Sequence, residues 1–167
     1  MMDFGGAYMA TVRMIHGFVG AGKTTFAKKL EQETGAVRFT LDERMIERHG
    51  ANPPTDKFGE YEAETQGVLW EEAKAILNEG KDVILDYGFW KRADRDHYRA
   101  MAEELGADVK LYNIQCPEEE IRRRVVERTE TMPDGAFYID ENALEEFRQR
   151  FEPIDPETET SILIETY

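Results

Sequence analysis

Eight consecutive residues, from Gly17 to Thr24, match the phosphate-binding pattern G-x-x-x-x-G-K-[ST] in full. Glycines in such a loop let the backbone curl, so that successive N–H groups point at phosphate oxygens. Lys23 would reach the β- and γ-phosphates, and the Thr24 hydroxyl would ligate Mg²⁺. The helix that follows would present the positive end of its dipole to the same anion. This string predicts the binding of a nucleoside triphosphate together with magnesium.

The residues on either side of this loop provide the setting that the motif requires. The mostly apolar run Val12–His16 predicts a buried strand before the loop, and apolar residues recur at helical spacing after Thr24. An ordinary glycine-rich turn is the alternative, and the strand–loop–helix order disfavours it. The residues predicted to hold the nucleotide are Gly17, Phe18, Val19, Gly20, Ala21, Gly22, Lys23, Thr24 and Thr25.

A second acidic element ends in Asp86. The segment Asp82–Asp86 is an apolar strand that finishes in a carboxylate, which is the form of a Walker B element. At the carboxyl end of its strand, Asp86 would face the phosphate loop and hold Mg²⁺, directly or through water. The alternative is an aspartate that only caps the strand before the turn at Gly88. The complete phosphate loop earlier in the chain favours the metal interpretation.

Asp42 is the candidate catalytic base. It follows the predicted strand Ala36–Thr40, and therefore lies at the same edge as the phosphate loop. In phosphoryl transfer, a carboxylate near the acceptor hydroxyl orients that hydroxyl and takes its proton. Arg44 could bind a substrate anion or hold Asp42 in place. The alternative is that Asp42 only caps the helix that contains Met45.

Aromatic and basic residues directly follow Asp86. Trp90 and Arg92 would lie at the active edge, where exposed aromatic rings beside cations suit an organic substrate or a phosphate. Together with Arg44 they are the predicted substrate-binding residues. The alternative, of equal weight, is that Trp90 belongs to the core and that Lys91 and Arg92 begin a solvated helix.

Arg124 and Arg128 lie one turn apart on one face of a predicted helix. Residues 129–139 follow and contain a proline and a glycine, which predicts a short mobile lid. Arginines near a lid can neutralise charge that develops on the transferred phosphoryl group. Both arginines are therefore candidate catalytic residues beside Lys23 and Asp42. The alternative is compensation of the helix dipole with pairing to Glu120.

Strand-like and helical segments alternate along the chain, which predicts a mostly parallel sheet covered by helices on both faces. Ligands of such a sheet bind at the carboxyl ends of its strands, where the phosphate loop lies. The predicted strands are Val12–His16, Ala36–Thr40, Asp82–Asp86, Ala107–Gln115 and Ser161–Glu165.

Composition limits the class of protein. The 167 residues suffice for one domain with a substantial core, predicted over residues 11–167 after a disordered leader at 1–10. No apolar run reaches the length of a membrane span, and the single cysteine, Cys116, favours a reducing compartment such as the cytoplasm. A net charge of −14 disfavours nucleic-acid or membrane partners. His16, His49 and His97 show no metal-ligand spacing.

Five segments, taken in order, carry a resemblance to one family. They are Gly17–Thr24, Phe39–Arg44, Val83–Trp90, Arg122–Arg128 and Phe151–Pro153. With them the chain resembles the bacterial predicted-kinase group of P-loop NTPases, which is related to zeta toxins and chloramphenicol phosphotransferases. The resemblance implies a three-layer α/β/α fold of nucleoside-kinase type, with sheet order 2-3-1-4-5 and a short lid. It also implies that ATP·Mg²⁺ is the phosphoryl donor, and that residues 151–156 border the adenine.

The function predicted from these features is an ATP-dependent kinase that acts on a hydroxyl of a small molecule, such as a sugar, a nucleotide sugar or an antibiotic. One alternative is a polynucleotide 5′-hydroxyl kinase, against which the net acidity argues. The other is a non-catalytic ATP-binding module.

Overall fold

Five strands alternate with six helices in the described part of the chain. The computed structural model describes residues 9–131 and 139–167, so residues 1–8 of the predicted leader and 132–138 of the predicted lid lie outside it. The strands are β1 Thr11–Gly17, β2 Val37–Thr40, β3 Val83–Gly88, β4 Asp108–Gln115 and β5 Ile162–Glu165. The helices are α1 Lys23–Thr34, α2 Leu41–His49, α3 Phe58–Asn78, α4 Arg92–Glu104, α5 Glu118–Thr131 and α6 Glu141–Arg150.

The strands form one sheet in the order β2-β3-β1-β4-β5, which confirms the predicted order. All four neighbouring pairs are parallel. Because the strands run in one direction, the segments that follow them meet at one edge of the sheet. We call this edge, with the phosphate loop after β1, the start of α2 after β2 and Asp86 near the end of β3, the carboxyl edge.

Helices cover both faces of the sheet, as the alternation of side chains along β1 and β3 requires. Met14 and Leu85 are fully buried in a cluster that also takes residues from α3 and α4. The neighbouring residues Ile15 and Ile84 point to the other face, where they pack with α1. No helix in the described ranges is long and apolar enough to span a membrane.

The opposite edge of the sheet holds a buried ion pair. Asp82, directly before β3, accepts the Thr11 backbone N–H at 2.8 Å and Arg13 Nη2 at 3.3 Å. Arg13 also donates to the Tyr112 hydroxyl at 2.7 Å. The side chains of Arg13 and Asp82 are 12% and 7% exposed. These two residues, which we call the amino-edge pair, therefore connect β1, β3 and β4.

Candidate active site

The phosphate loop leads directly into α1, whose amino terminus is open. Its N-cap residue, Gly22, has φ 99°, and no side chain of the described residues caps the backbone N–H groups of the first turn. Of the six described helices, α1 alone has no acidic residue in its first turn. Unpaired N–H groups at a positive dipole end form an anion site when no carboxylate competes for them.

Lys23 lies folded back on its own loop. Its Nζ donates to the Phe18 carbonyl at 3.0 Å. Burial lowers the pKa of Lys23, while the negative charges of Asp86 and Asp42 act in the opposite direction. The ammonium group is therefore held among backbone and carboxylate oxygens, within the site that the motif predicts for phosphate.

Asp86 is buried, with 4% exposure, and joins two strand ends to α1. Its Oδ2 accepts the Thr24 hydroxyl at 2.8 Å and the Thr40 hydroxyl at 2.9 Å. Thr40 is the last residue of β2 and is not among the predicted site residues. Its position directly before the helix that contains Asp42 is the sequence feature that could have identified it.

Hydroxyl and carboxylate oxygens are the ligand types that Mg²⁺ accepts. Within the described residues, no three His, Cys, Asp or Glu side chains group together as a metal site. Mg²⁺ usually keeps water and substrate phosphates as ligands and needs few from the protein. Thr24 and Asp86 fit that pattern, and their metal role stays a prediction.

Asp42 is the second residue of α2, whose N-cap is Thr40. Among the described residues, no hydrogen bond or ion pair engages its carboxylate, so it does not cap the helix. Its strongest electrostatic neighbours are Lys23, Asp86 and Arg128. Burial raises the pKa of Asp42, attraction to Lys23 lowers it, and repulsion from Asp86 raises it further. The side chain still meets solvent, so water offsets part of the burial effect.

The two predicted arginines differ in their surroundings. Arg124 donates to the Gly20 carbonyl at 3.2 Å and pairs with Glu120 at 3.0 Å. Arg128, one turn later, forms no hydrogen bond with the described residues, and its charge acts on both Lys23 and Asp42. Arg124 is therefore occupied by the outer side of the loop, whereas Arg128 lies within the electrostatic field of Lys23 and Asp42.

The predicted substrate-binding residues all have protein partners. Arg44 pairs with Glu72 of α3 at 2.6 Å. Arg92 pairs with Asp96 at 3.2 Å and with Glu159 at 3.0 Å. Trp90 Nε1 donates to the Gly17 carbonyl at 3.0 Å. The structure brings Trp90 to the phosphate loop, while Arg44 and Arg92 are held in ion pairs with other residues.

A cavity of about 570 Å³ adjoins the phosphate loop. It is lined by Gly20 and Gly22, by residues of α1 and α5, and by Thr166 directly after β5. Thr166 donates its hydroxyl to the Ala21 carbonyl at 2.6 Å, a contact that sequence reasoning missed because nothing near residue 166 resembles a motif. Phe151 and Pro153 line a separate cavity of about 350 Å³, so the segment expected at the adenine does not border the first one.

Residues 12–154 match a family described as an AAA domain. A search among proteins of curated function found no match. Solved structures with a similar fold include a kinase candidate from Chloroflexus aurantiacus (17% identity, 95% of this chain and 88% of that chain, TM-score 0.73). A sugar kinase from Janibacter has 23% identity, with 94% of this chain and 85% of that chain covered and a TM-score of 0.61.

A third similar structure is a chain of the Pnkp1/Rnl/Hen1 RNA repair complex, with 20% identity and a TM-score of 0.69. The likeness covers 86% of this chain but only 44% of that one. The relation to zeta toxins and chloramphenicol phosphotransferases stays a prediction. With most of its length matched, the chain belongs to the AAA domain family, and its α/β fold is that of P-loop kinases.

Proposed function

We propose that this protein is an ATP-dependent kinase that transfers the γ-phosphoryl group to a hydroxyl of a small-molecule acceptor, such as a sugar, a nucleotide sugar or an antibiotic. One observation carries the proposal. Asp42, a carboxylate with no hydrogen-bond partner among the described residues, lies in the electrostatic field of Lys23, Asp86 and Arg128. A site that only bound nucleotide would not need a carboxylate in that position.

In this mechanism, the acceptor oxygen attacks the γ-phosphorus as the bond to the β–γ bridging oxygen breaks, and ADP leaves. Asp42 accepts the hydroxyl proton of the acceptor. Lys23 and the loop N–H groups stabilise charge on the β- and γ-phosphates. Arg128 neutralises the charge that develops on the transferred group, and Arg124 holds the Gly20 side of the loop. Magnesium, when bound at Thr24 and Asp86, would neutralise phosphate oxygens.

We place the nucleoside in the 570 Å³ cavity, whose volume is typical of small-molecule sites. The first turns of α1, including Lys29, line this cavity, and Gly20 and Gly22 line it on the side of the phosphate loop. Arg124 and Thr166 form its wall next to the loop. The base and ribose would thus lie between α1, α5 and the end of β5.

The single cysteine supports a reducing compartment, and we propose the cytoplasm.

The direct test incubates the protein with labelled ATP and a panel of sugars, nucleotide sugars, aminoglycosides, phenicols and a short 5′-hydroxyl oligonucleotide. Asp42→Asn should reduce transfer at least about 100-fold while ATP binding remains, because general-base catalysis contributes on that scale. Glu43→Gln is the matched control, because it changes the adjacent carboxylate, which pairs with Arg38 at 3.1 Å. This variant should leave transfer unchanged. Full transfer by Asp42→Asn would remove Asp42 from the mechanism.

Nucleotide binding is tested separately with Lys23→Ala, which should abolish thermal stabilisation by ATP. Unchanged stabilisation would contradict the nucleotide site itself. Tight ATP binding without transfer to any acceptor would favour a binding module instead. Transfer to the oligonucleotide alone would favour the polynucleotide kinase, a candidate supported by the likeness to the RNA repair chain.

A further inference from the structure

Arg95, in the first turn of α4, is 2% exposed and binds two separate segments at once. Its guanidinium donates to Glu159 at two points, 2.9 Å and 2.8 Å, and the Glu159 side chain is 6% exposed. It also donates to the carbonyls of Phe89 at 2.8 Å, Trp90 at 3.0 Å and Glu152 at 3.1 Å. We call Arg95, Glu159 and these carbonyls the Arg95 clamp.

His16, at the end of β1, completes this buried arrangement. Its Nδ1 lies 2.9 Å from the Phe89 carbonyl, which can only accept a hydrogen bond, so the proton is assigned to Nδ1. Arg95 Nη1 lies 3.5 Å from the same nitrogen, and this is therefore a contact between two donors. Burial lowers the pKa of His16 to about 4, so the ring is neutral near pH 7 and adds no charge beside Arg95.

The turn that the clamp fixes has an uncommon conformation. Phe89 has φ 47°, and it is the only described residue other than glycine with a positive φ. A phenylalanine in this region is strained and needs support from its surroundings. Two donors, from His16 and Arg95, meet at its carbonyl. The clamp supplies that support.

Trp90 carries the conformation of this turn to the phosphate loop. Its backbone carbonyl is held by Arg95, while its indole Nε1 donates to the Gly17 carbonyl at 3.0 Å. The indole also stacks on Phe18, with ring centroids 5.6 Å apart. Gly17 and Phe18 are the first two residues of the phosphate loop. A continuous path of contacts therefore joins Glu159, Arg95, Trp90 and Gly17.

We propose that Arg95 is a positioning residue for nucleotide binding: its clamp with Glu159 fixes the turn at residues 88–90, and Trp90 thereby fixes the start of the phosphate loop. This role rests on the proposed function only in requiring that the loop binds ATP. Arg95 touches no reacting atom. It acts through the Trp90–Gly17 hydrogen bond, although Arg95 and Trp90 lie outside the phosphate-binding motif.

A double-mutant cycle tests the path. Trp90→Phe keeps an aromatic ring on Phe18 but removes the donor to Gly17, and Arg95→Lys keeps the charge but cannot bind both segments. Each should raise the Kd for ATP about ten-fold, the effect of one well-placed hydrogen bond. The double variant should also lie near ten-fold rather than near one hundred-fold, because both changes remove the same support.

AMP provides a readout that a general loss of structure would not give. It lacks the β- and γ-phosphates, so its Kd should change less than two-fold in each variant. Glu159→Gln disturbs the clamp from its other end, because the amide oxygen still accepts a hydrogen bond but the counter-charge of Arg95 is lost. It should reproduce the ATP effect if Arg95→Lys does not fold. The matched control, Arg13→Lys in the amino-edge pair, should lower Tm without changing the Kd for ATP.

The proposal would be overturned if the increases in the Kd for ATP caused by Trp90→Phe and Arg95→Lys multiply in the double variant. It would also be overturned if Trp90→Phe leaves the Kd for ATP unchanged. Equal weakening of ATP and AMP would show a merely structural role and would overturn it as well. Lys23→Ala tests the proposed nucleotide site separately. Normal ATP binding by this variant would contradict the nucleotide site itself, whereas loss of binding would leave only the role of Arg95 in question.

Discussion

The two edges of the sheet each hold a buried arginine–carboxylate pair, but the pairs connect different kinds of structure. At the amino edge, Arg13 and Asp82 connect strands that the core already holds together. At the carboxyl edge, Arg95 and Glu159 connect a turn and a C-terminal segment that have no place in the sheet. The same chemistry therefore stabilises the scaffold at one edge and shapes a binding loop at the other.

The two pairs differ in how far the backbone segments that they connect keep their conformation when the pair is lost. Strands that lose one ion pair keep their backbone hydrogen bonds, so the free energy of unfolding falls while the geometry persists. The turn at Phe89, with φ 47°, is instead held by hydrogen bonds from Arg95, His16 and the Glu152 backbone N–H, and not by a strand ladder. Loss of the pair there should change conformation, and binding with it. Three predictions test this contrast.

The largest effect on stability should come from Arg13→Met. It removes one partner of a buried ion pair, which destabilises by about 3–5 kcal/mol. We expect chemical denaturation to show this loss, while the remaining folded protein binds ATP with unchanged Kd, measured by calorimetry under folding conditions. A weakened Kd would mean that the amino edge also positions the loop, and the contrast between the edges would fail.

A slightly smaller effect should appear on titration of His16. Its folded pKa of about 4 lies below the ordinary 6.5, so the unfolded chain takes up the proton first as pH falls. The free energy of unfolding should therefore fall between pH 6.5 and about 4, by up to about 3 kcal/mol from this residue. His16→Asn retains a donor for the Phe89 carbonyl and cannot titrate.

The measurement is the difference between the pH profiles of wild type and His16→Asn, which cancels the carboxylates common to both. The wild type should lose more stability than the variant over that interval. Parallel profiles would show that His16 titrates normally, and that the carboxyl edge does not hold it neutral.

The smallest effect compares two glycines with similar backbone conformation. Gly80 has φ 80° and open space where a Cβ would lie, whereas a Cβ on Gly88, with φ 82°, would lie 3.2 Å from Trp90 Nε1. Gly80→Ala and Gly88→Ala should each destabilise by about 1–2 kcal/mol through positive-φ strain. Only Gly88→Ala should also weaken ATP binding, by displacing the indole. Equal Kd values would contradict the role of the turn.

The sequence predicted most where the information is local. The phosphate loop, the strands within one or two residues, and the carboxylates at strand ends all follow from short patterns, because a parallel sheet brings strand ends together. The strand order came from the resemblance and is confirmed. The roles of Asp42, Arg128 and Asp86 remain predictions that the geometry supports.

The Arg95 clamp could not be predicted in the same way. Arg95 and Glu159, with His16 beside them, come from three distant segments, and no spacing relates them. His16 shows no metal-ligand spacing in the sequence, although it is buried beside the loop. For Trp90, the sequence pattern gives equal weight to a substrate contact, since aromatic residues beside cations suggest an exposed site, and to a place in the core. Only the folded geometry shows that its indole points at Gly17.

The two hydroxyls on Asp86 have a consequence for the order in which ligands arrive. Oδ2 of Asp86 already accepts bonds from Thr24 and Thr40, so an isolated cation would compete with two internal donors. A triphosphate brings oxygens that complete the coordination of its magnesium ion. We therefore expect nucleotide and cation to enter as one complex. Without nucleotide, millimolar magnesium should occupy the site at Asp86 in only a small fraction of the protein.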